Sequence, residues 1–183
     1  MNPTLLSPDA SILTVEHFLS PEECLAFIRM TEAAGYDEAP ITVHGGFQRR
    51  PDIRNNTRVM VDDAALAGRL WARMEGVAVK RWESWRALGL NERFRYYRYT
   101  RGQYFKYHAD GAFRRSSREQ SLFTAMVYLN EDFTGGSTDF FEGPSVVPRQ
   151  GMLLLFEHGL RHQGAEVREG CKYVLRTDVM YGL

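Results

Sequence analysis

Lysine is scarce in this chain: of 23 basic residues only Lys80, Lys106 and Lys172 are lysines, and the others are arginines. A lysine that falls where chemistry needs one is thus less of an accident than in a lysine-rich protein. Cysteine is scarcer still. Cys24 and Cys171 cannot make a disulfide framework, and they fit a reducing, cytoplasmic setting. Charge of one sign is not in excess, since 23 basic residues face 23 acidic ones. That balance gives no global reason to expect a nucleic-acid or membrane partner. No apolar run approaches the ~20 residues that span a bilayer. The segment Met1-Asn2-Pro3-Thr4-Leu5-Leu6 lacks the order of a signal peptide. With no repeat, low-complexity tract or linker, residues 1–183 read as one domain with room for a sizeable core.

The two halves differ in texture. In the first, Ile12 to Phe18 reads as a short strand, and Ser20-Pro21-Glu22-Glu23 opens a helix. Ser20 caps, Pro21 suits the first turn and Glu23 completes a capping box. Leu25, Phe27 and Ile28 supply the apolar side, and Gly35 is the stop. A second helix is expected from Asp62 to Gly76, burying Leu66, Leu70 and Met74, and a third from Trp82 to Leu90. From Arg93 onward, short apolar or alternating runs are broken by Gly, Pro and Asn. Phe94–Tyr99, Leu122–Leu129, Thr138–Phe141, Met152–Phe156 and Lys172–Tyr181 read as strands. The expectation is an α+β fold: helical support over about residues 1–92 on one face of a β-rich core over about 93–183.

Within that β-rich half, His108-Ala109-Asp110 carries the chemistry. Residues i and i+2 of an extended strand share a face, so both side chains reach one ion from a strand end. Two imidazoles and one carboxylate form the facial triad that holds non-haem Fe(II) with positions left open. An H-x-D triplet alone is weak evidence, because a turn aspartate beside a surface histidine is common. The second imidazole is His162 or His158, and spacing to Asp110 does not choose between them. His17 and His44 are assigned no metal role.

The text around the triplet is more specific. Arg95 to Tyr107 runs Arg-Tyr-Tyr-Arg-Tyr-Thr-Arg-Gly-Gln-Tyr-Phe-Lys-Tyr. It is followed in order by Tyr128-Leu129-Asn130, Gly135-Gly136-Ser137-Thr138, Val147-Pro148-Arg149-Gln150-Gly151, His162-Gln163-Gly164 and Gly170-Cys171-Lys172. This series resembles the Fe(II)/2-oxoglutarate-dependent dioxygenases of the prolyl 4-hydroxylase-like branch, over roughly residues 93 to 181. The resemblance implies a double-stranded β-helix (jelly-roll) core. It implies Fe(II) as metal, 2-oxoglutarate and O2 as cosubstrates, succinate and CO2 as by-products, and ascorbate as a further cofactor.

It also implies roles. The family's ligand precedes a small or polar residue and then Gly, which selects His162. Lys172 stands where the family carries the cation for the distal carboxylate of 2-oxoglutarate. Arg176 shares a strand face with it and is the alternative, or a supporting residue. Tyr128 and Tyr99 fall near positions where relatives place a tyrosine hydroxyl on the cosubstrate. Relatives that halogenate replace the triad carboxylate, so Asp110 argues for hydroxylation. The expected substrate is a peptidyl or free amino acid. Gly135, Gly136 and Gly151 read as turn residues without a catalytic role.

Arginines gather in two expected loops, as Arg49, Arg50, Arg54 and Arg58 and as Arg114, Arg115 and Arg118. They suit an acidic substrate, or a solvated surface balanced by Asp52, Asp62 and Asp63. Two other functions stay open at this stage. One is a cupin-like metalloenzyme without a keto-acid cosubstrate. The other is a metal-binding sensor without turnover.

Overall fold

Alternation along the long strands sorts the side chains onto two faces of one large sheet, and this sorting builds the molecule. The structure is a computed structural model that describes residues 2–9, 11–43 and 46–183, so His44 lies outside the described residues. Its principal strands are β1 (Ile12–Val15), β2 (Thr57–Asp62), β3 (Trp85–Leu90), β4 (Arg93–Thr100), β5 (Phe105–His108), β6 (Glu119–Tyr128), β7 (Thr138–Phe140), β8 (Leu153–Glu157), β9 (His162–Gly164) and β10 (Cys171–Gly182). The main sheet runs β1-β8-β6-β10-β4-β2, with short strands at Thr4–Leu5 and Asp37–Glu38 at its ends. All of these pairings are antiparallel. A smaller sheet, β5-β9-β7 with Ser145–Val146, is also antiparallel.

On one face of the main sheet, Phe94, Tyr96, Phe123, Ala125, Val127, Leu153, Leu155 and Leu175 join a core closed by the helices. Helix α1 (Pro21–Ala34) begins with the expected box: Glu23 N–H donates to Ser20 Oγ at 3.2 Å and Ser20 N–H to Glu23 Oε2 at 2.8 Å. Gly35 ends it at φ 79°, a conformation that costs glycine little. Helix α2 (Ala64–Met74) is capped by Asp63, whose Oδ1 accepts from Leu66 N–H at 2.8 Å. Its buried Leu66, Leu70 and Met74 recur every fourth residue and face the sheet core.

On the other face, Tyr97, Tyr99, Tyr128, Leu154, Phe156 and Val174 meet Phe140 and Val146 of the small sheet. The candidate site lies on this side. A turn at Gly151 is tied closely to the segment between β1 and α1: a Cβ there would lie 2.1 Å from Leu19 O, so only glycine fits at its φ of 75°.

Two expectations need correction. Trp82–Leu90 is no helix but most of a hairpin, in which Arg81–Trp82 pairs with β3. Glu83 turns it with φ 52°, and burial alternates along β3, which leaves Leu88 exposed while Trp82 packs edge-on to Phe123. The support over residues 1–92 is also not mainly helical. It supplies two helices but also β1, β2 and β3 to the main sheet. No described helix is long and apolar enough to cross a membrane.

Candidate metal centre and the pocket around it

β5 and β9 run side by side so that His108 and His162 are register partners, and Asp110 follows two residues beyond His108. One nitrogen or oxygen from each of the three lies within 4.8 Å of the others, close enough to hold one metal ion. His108 Nε2 is 3.7 Å from Asp110 Oδ1, and His162 Nε2 is 3.8 Å from Asp110 Oδ2. Each imidazole is oriented from behind. Nδ1 of His108 lies 2.8 Å from Lys106 O, and Nδ1 of His162 lies 2.9 Å from Leu160 O. A carbonyl accepts only, so both Nδ1 atoms carry the proton and both Nε2 lone pairs face the carboxylate. Burial, and His162 beside it, depress His108 to about 4, and burial likewise lowers His162, which favours the neutral imidazoles a metal takes.

Asp110 is anchored to the main sheet. Its N–H donates to His158 O at 2.9 Å, and its Oδ2 accepts from Thr124 Oγ1 at 2.6 Å and from Arg176 Nη2 at 3.1 Å. Burial alone would raise this carboxyl, but Arg176 and the nearby imidazoles hold it well below the usual carboxylate range. With both donors on Oδ2, Oδ1 stays turned toward His108.

His158 lies outside this cluster, and both of its ring nitrogens are engaged. Its Nδ1 lies 3.1 Å from Thr124 Oγ1 and its Nε2 2.9 Å from Ser121 Oγ, with 5% of the residue exposed. Thr124 spends its single proton on Asp110, so His158 Nδ1–H donates to Thr124 and Ser121 donates to Nε2. The result is a buried chain from Ser121 through His158 and Thr124 to Asp110. Sequence reasoning missed Thr124, although a lone hydroxyl within Leu122-Phe123-Thr124-Ala125-Met126-Val127 was a signal.

The pocket behind the triad is lined by Tyr99, Thr138, Phe156, Gly164, Lys172 and Arg176, among others. Lys172 is 3% exposed; its Nζ donates to Gly136 O at 2.6 Å and lies 5.3 Å from the ring centroids of Tyr99 and Tyr128. Burial depresses the amine to about 7. Gly136 thus does more than turn the chain: its carbonyl positions Lys172, and a Cβ there would press on Lys172 Cδ at 3.2 Å. Tyr99 lines the pocket, its phenol raised to about 12 by burial. Tyr128 lies behind it and donates to Thr138 Oγ1 at 2.7 Å.

Arg176 is engaged elsewhere. Besides Asp110 it reaches Asp178 Oδ1 at 3.2 Å, and Asp178 Oδ2 accepts from Arg95 at 3.0 Å. Of the loop arginines, Arg49 pairs with Glu38, Arg50 with Asp52, and Arg115 with Glu92 and Glu119. Arg114 and Arg118 are exposed, and His17 lies outside the pocket in a turn at φ 54°.

Among known proteins, residues 94–177 match the family described as the 2OG-Fe(II) oxygenase superfamily. No curated protein sequence matched the chain. Several solved structures share its fold. The viral collagen prolyl hydroxylase of Paramecium bursaria chlorella virus 1, in its 2OG complex, is similar with a TM-score of 0.65 and 19% identity, over 94% of this chain and 97% of that one. A prolyl-4-hydroxylase from Pseudomonas putida gives 0.65 and 20% identity over 92% of this chain and 91% of its own. A prolyl hydroxylase from Trichoplax adhaerens, in complex with a hypoxia inducible factor oxygen degradation domain peptide fragment, gives 0.71 and 15% identity over 92% and 83%. Through the residues that build the triad and pocket, the chain resembles the 2OG-Fe(II) oxygenases. Its fold is that of the prolyl 4-hydroxylase-like branch.

Proposed function

We propose that this protein is an Fe(II)- and 2-oxoglutarate-dependent hydroxylase of a peptidyl or free amino-acid substrate. On this reading its two facing sheets are a double-stranded β-helix, with the metal between them at one end. His108, Asp110 and His162 would hold Fe(II), and Lys172 would take the distal carboxylate of 2-oxoglutarate. Bound together, metal and cosubstrate supply the oxidant for a substrate C–H bond, with release of succinate and CO2.

The observation that carries the reading is the pre-set tautomer of both imidazoles. Two Nδ1–H groups spent on backbone carbonyls leave two Nε2 lone pairs and one carboxylate converging within 4.8 Å. Lys172 supports the cosubstrate. A buried amine whose acceptor is the Gly136 carbonyl lacks an anion, and a carboxylate in the same pocket would provide one. A metalloenzyme without a keto acid would leave that cost unrelieved. Tyr99, neutral because it is buried, and Thr138 line the pocket and are the hydroxyl donors for the same carboxylate. Tyr128 orients Thr138. Arg176 and Thr124 hold Asp110 ionised and turned. Peptide candidates come first because the Trichoplax adhaerens neighbour holds a peptide fragment.

The test is a screen of peptides and amino acids for substrate-stimulated succinate formation, followed by mass spectrometry of the stimulated candidates. A gain of one oxygen, dependent on Fe(II) and 2-oxoglutarate, is expected. A protein that binds Mn(II) but not 2-oxoglutarate under anaerobic conditions overturns the reading.

A further inference from the structure

Outside the triad, on the side away from Lys172, opens a second cavity of about 580 Å³, lined by Arg54, Arg58, Arg95, Tyr97, His108 and Asp110 among others. That is within the range of about 300–1,000 Å³ usual for small-molecule sites. Strand register explains its cations. Arg58 on β2 is the cross-strand partner of Tyr97 on β4, and Arg95 is the partner of both Met60 and Arg176. Cross-strand partners share a face, so Arg58, Arg95 and Arg176 all project to the triad side of the main sheet. Arg54 joins them from the preceding segment through a single β-bridge to Phe105.

The anions on this side do not match the cations. Asp110 and Asp178 are consumed by Arg176 and Arg95. Arg54 and Arg58 have no ion pair among the described residues. Arg54 is the more telling of the two. It is only 6% exposed, its Nε donates to Asn56 Oδ1 at 2.7 Å, and its Nη2 is buried with no hydrogen-bond partner. Its guanidinium lies 4.6 Å from the ring centroid of Tyr97 and 4.5 Å from that of Phe105. Phe105 in turn stacks on His108 at 3.5 Å between centroids. A buried guanidinium donor without an acceptor is costly, and it stands one ring away from a triad histidine.

We infer that the primary substrate carries a carboxylate, which Arg54 and Arg58 grip beside the metal centre while the carbon to be oxidised faces the triad. This rests on the proposed hydroxylase function and names its substrate class. A planar carboxylate suits the guanidinium fork and satisfies the idle Nη2. The aromatic rings of Tyr97 and Phe105 hold Arg54 in place, so less side-chain freedom is lost on binding. Of the loop arginines that suit an acidic substrate or a solvated surface, only Arg54 and Arg58 line this cavity. Arg49, Arg50 and Arg115 already have carboxylate partners within the chain, and Arg114 is exposed away from the cavity.

The experiment uses blocked tripeptides in matched pairs that differ only by Glu or Gln on either side of the central residue. They are titrated anaerobically into protein carrying Mn(II) and 2-oxoglutarate. At least one acidic peptide is expected to bind about tenfold more tightly than its amide twin, with the preference shrinking as salt rises. Arg58→Gln, at a half-buried position that folding tolerates, should reduce that preference to less than about threefold. Arg54→Lys, which keeps the charge without the fork, should fall between. Arg50→Gln should keep the full preference. An equal affinity for every acid and amide pair overturns the inference, as does a preference that survives Arg58→Gln. Binding of Mn(II) and 2-oxoglutarate by the unaltered protein is read separately. Its failure, with the acid preference intact when the peptides are titrated into the metal-free protein, overturns the hydroxylase reading and leaves the carboxylate site standing.

Discussion

The two faces of the main sheet come from the same strands, yet one is almost wholly apolar and the other carries the polar and charged chemistry. Toward the helices, β6 presents Phe123, Ala125 and Val127, and β10 presents Leu175 and Val179. Toward the small sheet, the same strands present Thr124, Met126, Lys172, Arg176 and Asp178. Period-two alternation thus does more than separate core from solvent. It separates a face that provides stability from a face that spends it, since unpaired buried cations cost free energy that the opposite face must offset. Substitutions on the two faces should therefore dissociate stability from binding.

The largest effect is expected at the triad. Alanine at His108, Asp110 or His162 should abolish Mn(II) binding in calorimetry, while His158→Ala should weaken it only by about 10–100-fold through the loosened Thr124. Equal losses at His158 and His162 would erase the distinction between ligand and support. On the helix side, Leu155→Ala should cost about 2–5 kcal/mol in chemical denaturation and leave metal affinity unchanged. A loss of metal affinity there would mean the two faces are not separable.

Lys172→Ala should raise the 2-oxoglutarate dissociation constant by about two orders of magnitude, since breaking a buried charge pair costs about 3–5 kcal/mol. Arg176→Ala should cost less in that titration, because its guanidinium is held by Asp110 and Asp178. The amine of Lys172 also predicts a pH effect of definite sign. Its folded value, about 7, lies below the value of 10.5 that an exposed lysine has, so the unfolded chain binds the extra proton between them. The ligand-free protein should therefore gain stability relative to Lys172→Met as pH rises from about 7 toward 10, and lose it as pH falls back. Denaturation midpoints of both proteins across that window, in parallel, measure it. The smallest effect is expected at Arg49 and Arg115, exposed and already paired, where glutamine should change stability by less than about 1 kcal/mol.

How much of this was readable beforehand follows from the range of the interactions. The capping box at Ser20 and Glu23, the four-residue spacing of Leu66, Leu70 and Met74, and the His108–Asp110 pair are local patterns, and a linear reading finds them. Trp82 to Leu90 misled because its aromatic and apolar residues fit a helix as well as a strand. The deciding contacts, Trp82 on Phe123 and β3 along β10, are distant in sequence. The choice of His162 over His158 needed a family pattern at first. The structure adds that Ser121 and Thr124 occupy both nitrogens of His158. Arg54 could not have been singled out among its neighbours, because its isolation depends on Phe105, Tyr97 and the burial they impose. The resemblance to the oxygenase superfamily was readable from the ordered motifs of the second half; the substrate was not.

The placement of the three candidate metal ligands has a mechanical side. His108 and His162 belong to the small sheet, whereas Asp110 is tied to the main sheet through Thr124, Arg176 and the His158 carbonyl. An ion held by all three is a cross-link between layers that are otherwise joined here by apolar packing. It would close the sandwich as a clasp does, beside the cavity lined by Arg54 and Arg58. Stripping the metal with a chelator should then unfasten one layer before the other. Amide hydrogens of β5, β7 and β9 should exchange faster, while those of β6 and β10 keep their protection.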